Sequence, residues 1–185
     1  MIPARFRRQP RTGNIGALYG MIVAQARVPA FYSRYSVPDT VQGRFDLIVL
    51  HMVLVLRRLS AGSGAAGPAE NEVGQQLFDV FCRDLDANLR EMGVGDLRVP
   101  KEMRRFGEAF YGRQAAYRGA LASTETQELE KVLARNIFET VGVDERAARL
   151  ARYARAAAAQ LSTSQEAALI AGKVIFPDPE AFLDG

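Results

Sequence analysis

Apolar positions along this chain recur every three or four residues almost throughout, and long, strictly alternating β-branched segments are missing. That periodicity predicts an all-α protein, a single irregular bundle of about six to eight helices. A first helix is expected over 14–27, with Asn14 as N-cap and Pro29 as its stop. A short aromatic turn at 30–35 follows, and Asp39 caps a helix running to about Ser60. The Gly- and Ala-rich stretch 61–69 reads as a flexible loop between helices. Next come helices over 70–92, closed by Gly93 at C′, and 100–121, opened by Pro100 at N1. Thr124 with Gln127, and Ser162 with Gln165, offer capping boxes for helices over 125–141 and up to Gly172, and Asp144 caps a helix to Gln160. The chain thus divides into a basic, disordered leader (1–13, read as retained), a helical domain (14–172) and an extended tail (173–185).

Two helices depart from a simple amphipathic pattern. The helix after Asp39 is apolar all the way round, as expected at the centre of a bundle, except for Arg44, His51 and Arg58 at heptad spacing. Seven residues return to within ~20° of one direction, so these three form a stripe. It reads as the solvated edge of a buried helix; the rival is a groove lining for an anionic or carbonyl-bearing partner. In the helix from Pro100, Met103, Phe106, Phe110, Tyr117 and Leu121 share a face, with Arg113 where an apolar residue is expected. Gly107, Gly112 and Gly119 each cost about 1 kcal/mol there relative to Ala. They imply a close approach to the backbone or a broken helix. Close packing within the domain is one reading. The other is an exposed aromatic groove at Phe110-Tyr111-Gly112-Arg113, since aromatics with Arg are the usual make-up of binding hot spots. A second aromatic set, Tyr19, Phe31, Tyr32 and Tyr35, is mixed with Arg27 and Arg34; Phe31 is the member most expected to fold onto the core.

Charge changes this picture modestly. The 185 residues carry a net +3, but through Pro38 there are six arginines and no acid, which leaves a net −3 on the remainder. A mildly acidic body with a basic front lacks the dense basic face of a duplex-DNA binder. The leader arginines Arg5, Arg7, Arg8 and Arg11 suit an anionic membrane surface or the ribosome. The longest apolar run, 47–56, is half the ~20 residues of a membrane span.

Reactive chemistry is hard to assemble. One Cys (Cys82) and one His (His51) exclude an internal disulfide and argue against a structural zinc site. Asp84 and Asp86 point apart on a helix, and Asp79/Arg83 and Asp86/Arg90 are surface pairs. No strand precedes a Gly-rich phosphate loop. No enzyme, metal or cofactor is expected.

Several blocks in order carry a family resemblance. They are Leu18-Tyr19-Gly20, Pro29-Ala30-Phe31-Tyr32, Val37-Pro38-Asp39-Thr40, Gly43-Arg44-Phe45-Asp46, Leu77-Phe78-Asp79, Met92-Gly93-Val94-Gly95-Asp96-Leu97, Val99-Pro100-Lys101 and Gly107-Glu108-Ala109-Phe110-Tyr111-Gly112-Arg113. Over roughly 18–140 the chain resembles the ubiquinol–cytochrome c chaperone family. The resemblance implies an assembly factor for the cytochrome bc1 complex that binds newly made cytochrome b or its nascent chain. It also implies a bacterial member working at the cytoplasmic, inner face of the membrane (the matrix in a eukaryote), near the ribosome exit region, with a small partner protein in some relatives. It carries over no catalytic residue. The expected client contacts are Phe110, Tyr111 and Arg113, then Tyr19, Tyr32 and Arg44. The rivals are a ribosome- or RNA-associated protein acting through the basic N-terminus, and an all-α carrier of a small lipophilic molecule.

Overall fold

The computed structural model describes residues 12–61, 72–142 and 144–183, so the leader through Arg11 and most of the loop at 61–69 lie outside the described residues. Eight α-helices are present among them: α1 (Thr12–Ala26), α2 (Pro29–Ser33), α3 (Val41–Ala61), α4 (Glu72–Glu91), α5 (Val99–Ala122), α6 (Thr126–Ile137), α7 (Glu145–Thr163) and α8 (Glu166–Ile170), followed by a 3₁₀ turn (Pro179–Phe182). The fold is an irregular all-α bundle. Its axis is α3, which buries fourteen of its 21 residues and is packed by α1, α4, α5, α6 and α7. A helix surrounded in this way has no room for a polar face, which is why its sequence is apolar in every direction.

Local chemistry sets most boundaries. Pro29 starts α2, turning the expected aromatic turn into a short helix. Gly93 adopts φ +79° just past α4, the left-handed conformation that closes a helix cheaply. The Asp144 carboxylate accepts from the backbone N–H of Arg146 and Ala147 and so caps α7. Neither capping box forms: α6 starts behind Glu125 with no side-chain cap, and Ser162 lies inside α7.

Two aromatic clusters flank α3. One joins Phe31, Tyr35, His51, Tyr153, Phe176 and Phe182, all ring to ring. The other joins Tyr19, Phe45, Phe78, Phe81, Phe106, Phe110 and Tyr111. The tail extends to Asp178 and then coils into the 3₁₀ turn. It lies on the first cluster, with the Tyr35 hydroxyl donating to the Pro179 carbonyl at 2.6 Å and Gln25 Nε2 donating to that of Pro177 at 3.3 Å.

Two expectations are corrected here. The Arg44–His51–Arg58 stripe is not a solvated edge. His51 is fully buried and Arg58 donates to the Ser164 carbonyl; only Arg44 is exposed. Nor do Gly107, Gly112 and Gly119 admit a close neighbour: α5 is continuous, and a Cβ on any of them would meet open space. The close approach is at Gly43, where an added Cβ would stand 2.0 Å from the Pro38 carbonyl oxygen.

Candidate functional site: an apolar cleft beside α4

Residues 81–91 of α4, with Met92 just past its end, turn an apolar stripe toward α1 and α3. Phe81, Leu85, Leu89 and Met92 follow one another at helical spacing. Val41, Phe45 and Ile48 from α3 face them, with Tyr19 from α1, and Phe106 from α5 completes the lining. The helices bury Phe81 and Leu89 but leave Leu85 and Met92 only partly covered. They leave a cleft of about 180 Å³, with Val41 56% and Met92 51% exposed at its mouth.

The polar groups of the cleft have distinct duties. The Tyr19 hydroxyl donates to Asp84 Oδ2 at 2.7 Å and ties α1 to α4 across the cleft. Burial, reinforced by that carboxylate, holds the phenol far above its ordinary pKa, so it stays a proton donor. Arg44 Nε donates to Asp39 Oδ1 at 2.7 Å, and this bond holds the exposed Asp39 carboxyl below its usual range. Arg27, just past α1, is an exposed guanidinium on the rim with no ion pair among the described residues. A second hollow, lined by Pro29, Tyr32, Ser33 and Asp39, adjoins the first through Arg27 and Arg44. Tyr32 borders it, with its hydroxyl donating to the Ala26 carbonyl at 2.8 Å.

The residues singled out from sequence therefore separate. Tyr19, Tyr32 and Arg44 come together along the cleft and its extension. Phe110 does not join them: it is fully buried among Phe78, Phe81 and Tyr111, so its ring is a core group with no surface to offer. Arg113 is also interior, its Nε 2.7 Å from Asp46 Oδ1 and its guanidinium over the Phe45 ring at 5.6 Å. Burial pushes the Asp46 carboxyl up to about 6, against the opposing pull of Arg113. Tyr111 is 49% exposed but stacks on Phe78 on another part of the α4–α5 surface. Arg5, Arg7, Arg8 and Arg11 lie outside the described residues.

Sequence reasoning named Arg27 beside Tyr19 and Tyr32 but gave no role to Val41, Ile48, Leu85 or Met92. Nothing in the spacing of these apolar residues marks them as less covered than the rest of their α3 and α4 faces. No group of three His, Cys, Asp or Glu able to hold a metal exists among the described residues, and none of the described helices is long and apolar enough to cross a membrane.

Comparison with known proteins now adds to this geometry. The family described as ubiquinol-cytochrome C chaperone matches residues 33–176. The chain belongs to that family. In three dimensions it is similar to the crystal structure of the Cbp3 homolog from Brucella abortus, with a TM-score of 0.80 and 35% identity over 92% of each chain. A comparison with curated proteins finds no match. As a member of the ubiquinol–cytochrome c chaperone family, the chain is a non-enzymatic chaperone of bc1-complex assembly. Both α3 and α4, the two main walls of the cleft, lie inside the matched region.

Proposed function

We propose that the cleft between α1, α3 and α4 receives an apolar, membrane-destined segment of newly made cytochrome b and shields it until the bc1 complex assembles. The observation that carries this reading is the unclosed apolar face of α4. Half-buried Leu85 with exposed Met92 and Val41 makes a contiguous apolar patch beside an open cleft, the kind of surface that a partner covers in use. An incoming helix can lie along the groove and bury the exposed parts of Val41 and Met92, each worth about 1–2 kcal/mol if fully covered. Arg27 stands at one end, where a client carboxylate or helix C-terminus supplies a matching charge. The chaperone acts peripherally, at the cytoplasmic face of the membrane where the client is inserted.

The test is capture of co-expressed cytochrome b by the purified chain. Val41→Glu with Met92→Glu places two carboxylates in the groove at positions that are already half exposed, so thermal stability stays within about 1 kcal/mol of wild type. Capture is expected to fall at least tenfold. Undiminished capture by the folded double variant overturns the assignment.

A further inference from the structure

Away from this cleft, the C-terminal turns of α3, α5 and α7 meet around a hollow of about 440 Å³. Three guanidiniums line it, Arg57 and Arg58 from α3 and Arg118 from α5, and no carboxylate is among its described lining residues. Arg44, Arg90, Arg104, Arg113 and Arg146 each pair with an acid. What sets the hollow apart is that it gathers three guanidiniums around one space with no acid among its described lining residues.

Helix C-termini attract cations, and Arg58 serves that of α7, whose C-cap is Ser164. Arg58 donates from Nε and Nη2 to the Ser164 carbonyl, at 3.1 and 2.7 Å, which fixes its guanidinium in place. Arg57 and Arg118 go beyond it. Both are half-buried, and neither has a hydrogen bond or ion pair among the described residues. The hydroxyls of Ser60 and Ser162 donate to the carbonyls of Leu56 and Ala159, so the guanidiniums are the donors left to a ligand. Three like charges partly withdrawn from water repel one another. An oxyanion between them turns that repulsion into attraction and accepts charge-assisted hydrogen bonds in the forked geometry that arginine offers.

We propose that this hollow binds a phosphate or phosphate-ester group, held by Arg57 and Arg118 and by the prefixed Arg58. The inference is independent of the client cleft, which lies elsewhere on the bundle.

Two arms of one experiment on the full chain identify the source of the phosphate. Calorimetric titration with inorganic phosphate is compared with sodium chloride at equal ionic strength. Flotation with phosphatidylglycerol vesicles is compared with phosphatidylcholine vesicles. One-to-one phosphate binding supports a free phosphate ligand, and selective flotation with phosphatidylglycerol supports a lipid headgroup. In either case Arg57→Gln and Arg118→Gln are each expected to weaken binding about tenfold or more, the loss that follows one charge-assisted hydrogen bond. Ser162→Asp, at an exposed position, puts a carboxylate into the hollow without touching the core and is expected to abolish binding; it decides the matter if an arginine variant misfolds. No binding in either arm, or binding that chloride reproduces or that survives Ser162→Asp, overturns the proposal.

Discussion

His51 is the single histidine of the chain and sits, fully buried, at the centre of α3. Its Nδ1 lies 2.7 Å from the Leu47 carbonyl, which can only accept, so Nδ1 carries the proton. Nε2, 2.8 Å from the Tyr153 hydroxyl, then accepts from it, and the Tyr153 oxygen accepts in turn from Gln25 Nε2 at 3.0 Å. The neutral imidazole is fully satisfied, whereas an imidazolium would aim a second N–H at a hydroxyl that is itself donating. Burial accordingly lowers the pKa from 6.5 to about 4, outweighing the Leu47 bond, which acts the other way. A base with a depressed folded-state pKa gives stability that is whole above the unfolded value and is lost as pH falls. Between pH 6.5 and 4, at 1.36 kcal/mol per pH unit, the loss is about 3 kcal/mol. Asp46 works in the opposite sense: its carboxyl is raised from 3.8 to about 6, so its contribution improves as pH falls through that window. Wild type alone would show the two nearly cancelling. Urea unfolding of wild type and His51→Gln at pH 7, 6, 5 and 4 removes the common Asp46 effect, and the wild-type advantage is expected to shrink by about 3 kcal/mol. The one imidazole signal in the proton NMR spectrum supplies a direct check. A native-state midpoint near 6.5 would refute the buried, neutral network.

Gly43→Ala drives a Cβ into the Pro38 carbonyl and is expected to cost about 1–3 kcal/mol. Gly112→Ala, into open space on α5, should instead raise stability by up to about 1 kcal/mol; thermal unfolding of the pair reads both signs. Phe110→Ala should cost about 3–5 kcal/mol in urea unfolding as a core truncation, and its loss of client follows only from its loss of fold. Arg113→Met leaves Asp46 buried without its cation and is expected to cost about 3–5 kcal/mol at pH 7. That deficit narrows on acidification toward pH 4, because protonation removes the uncompensated charge; a deficit flat with pH would show that the pair contributes no charge interaction.

Helix periodicity exposed nearly every element, because amphipathic spacing and the punctuation of Pro29, Gly93, Pro100 and Asp144 are local properties. What stayed hidden depends on neighbours distant in sequence. His51 looked like part of a polar stripe with Arg44 and Arg58, yet heptad spacing cannot tell which member meets Tyr153, 102 residues away. Arg113 looked like a groove anchor because a charge on an apolar face has two explanations, and only the position of Asp46 chooses between them. The α5 glycines carried a propensity penalty that no contact explains. The cleft was partly legible: Tyr19, Tyr32 and Arg44 were singled out as aromatic or cationic, while Val41, Ile48 and Leu85 are apolar residues that sequence cannot divide into covered and uncovered.

The same helix shapes both the interior and the cleft. On one side of α3, His51 is locked to α7 and the tail. At its other end, Phe45 lines the cleft with its ring under the Arg113 guanidinium, which Asp46 holds from the next position along the chain. The lining from α3 is thereby anchored by a buried charge pair. The α4 wall is held by buried Leu77, Phe81 and Leu89 and by the Tyr19–Asp84 hydrogen bond, with Leu85 partly open to water. If the cleft receives a client as proposed above, a surface built this way keeps its shape when empty, because the strongest contacts lie beneath the client rather than in its path. It also adapts to different apolar segments, because unbranched Met92 at the mouth can change rotamer at little cost. On that proposal, holding and releasing an apolar segment calls for this combination, and the position of Asp46 next to Phe45 supplies its rigid half.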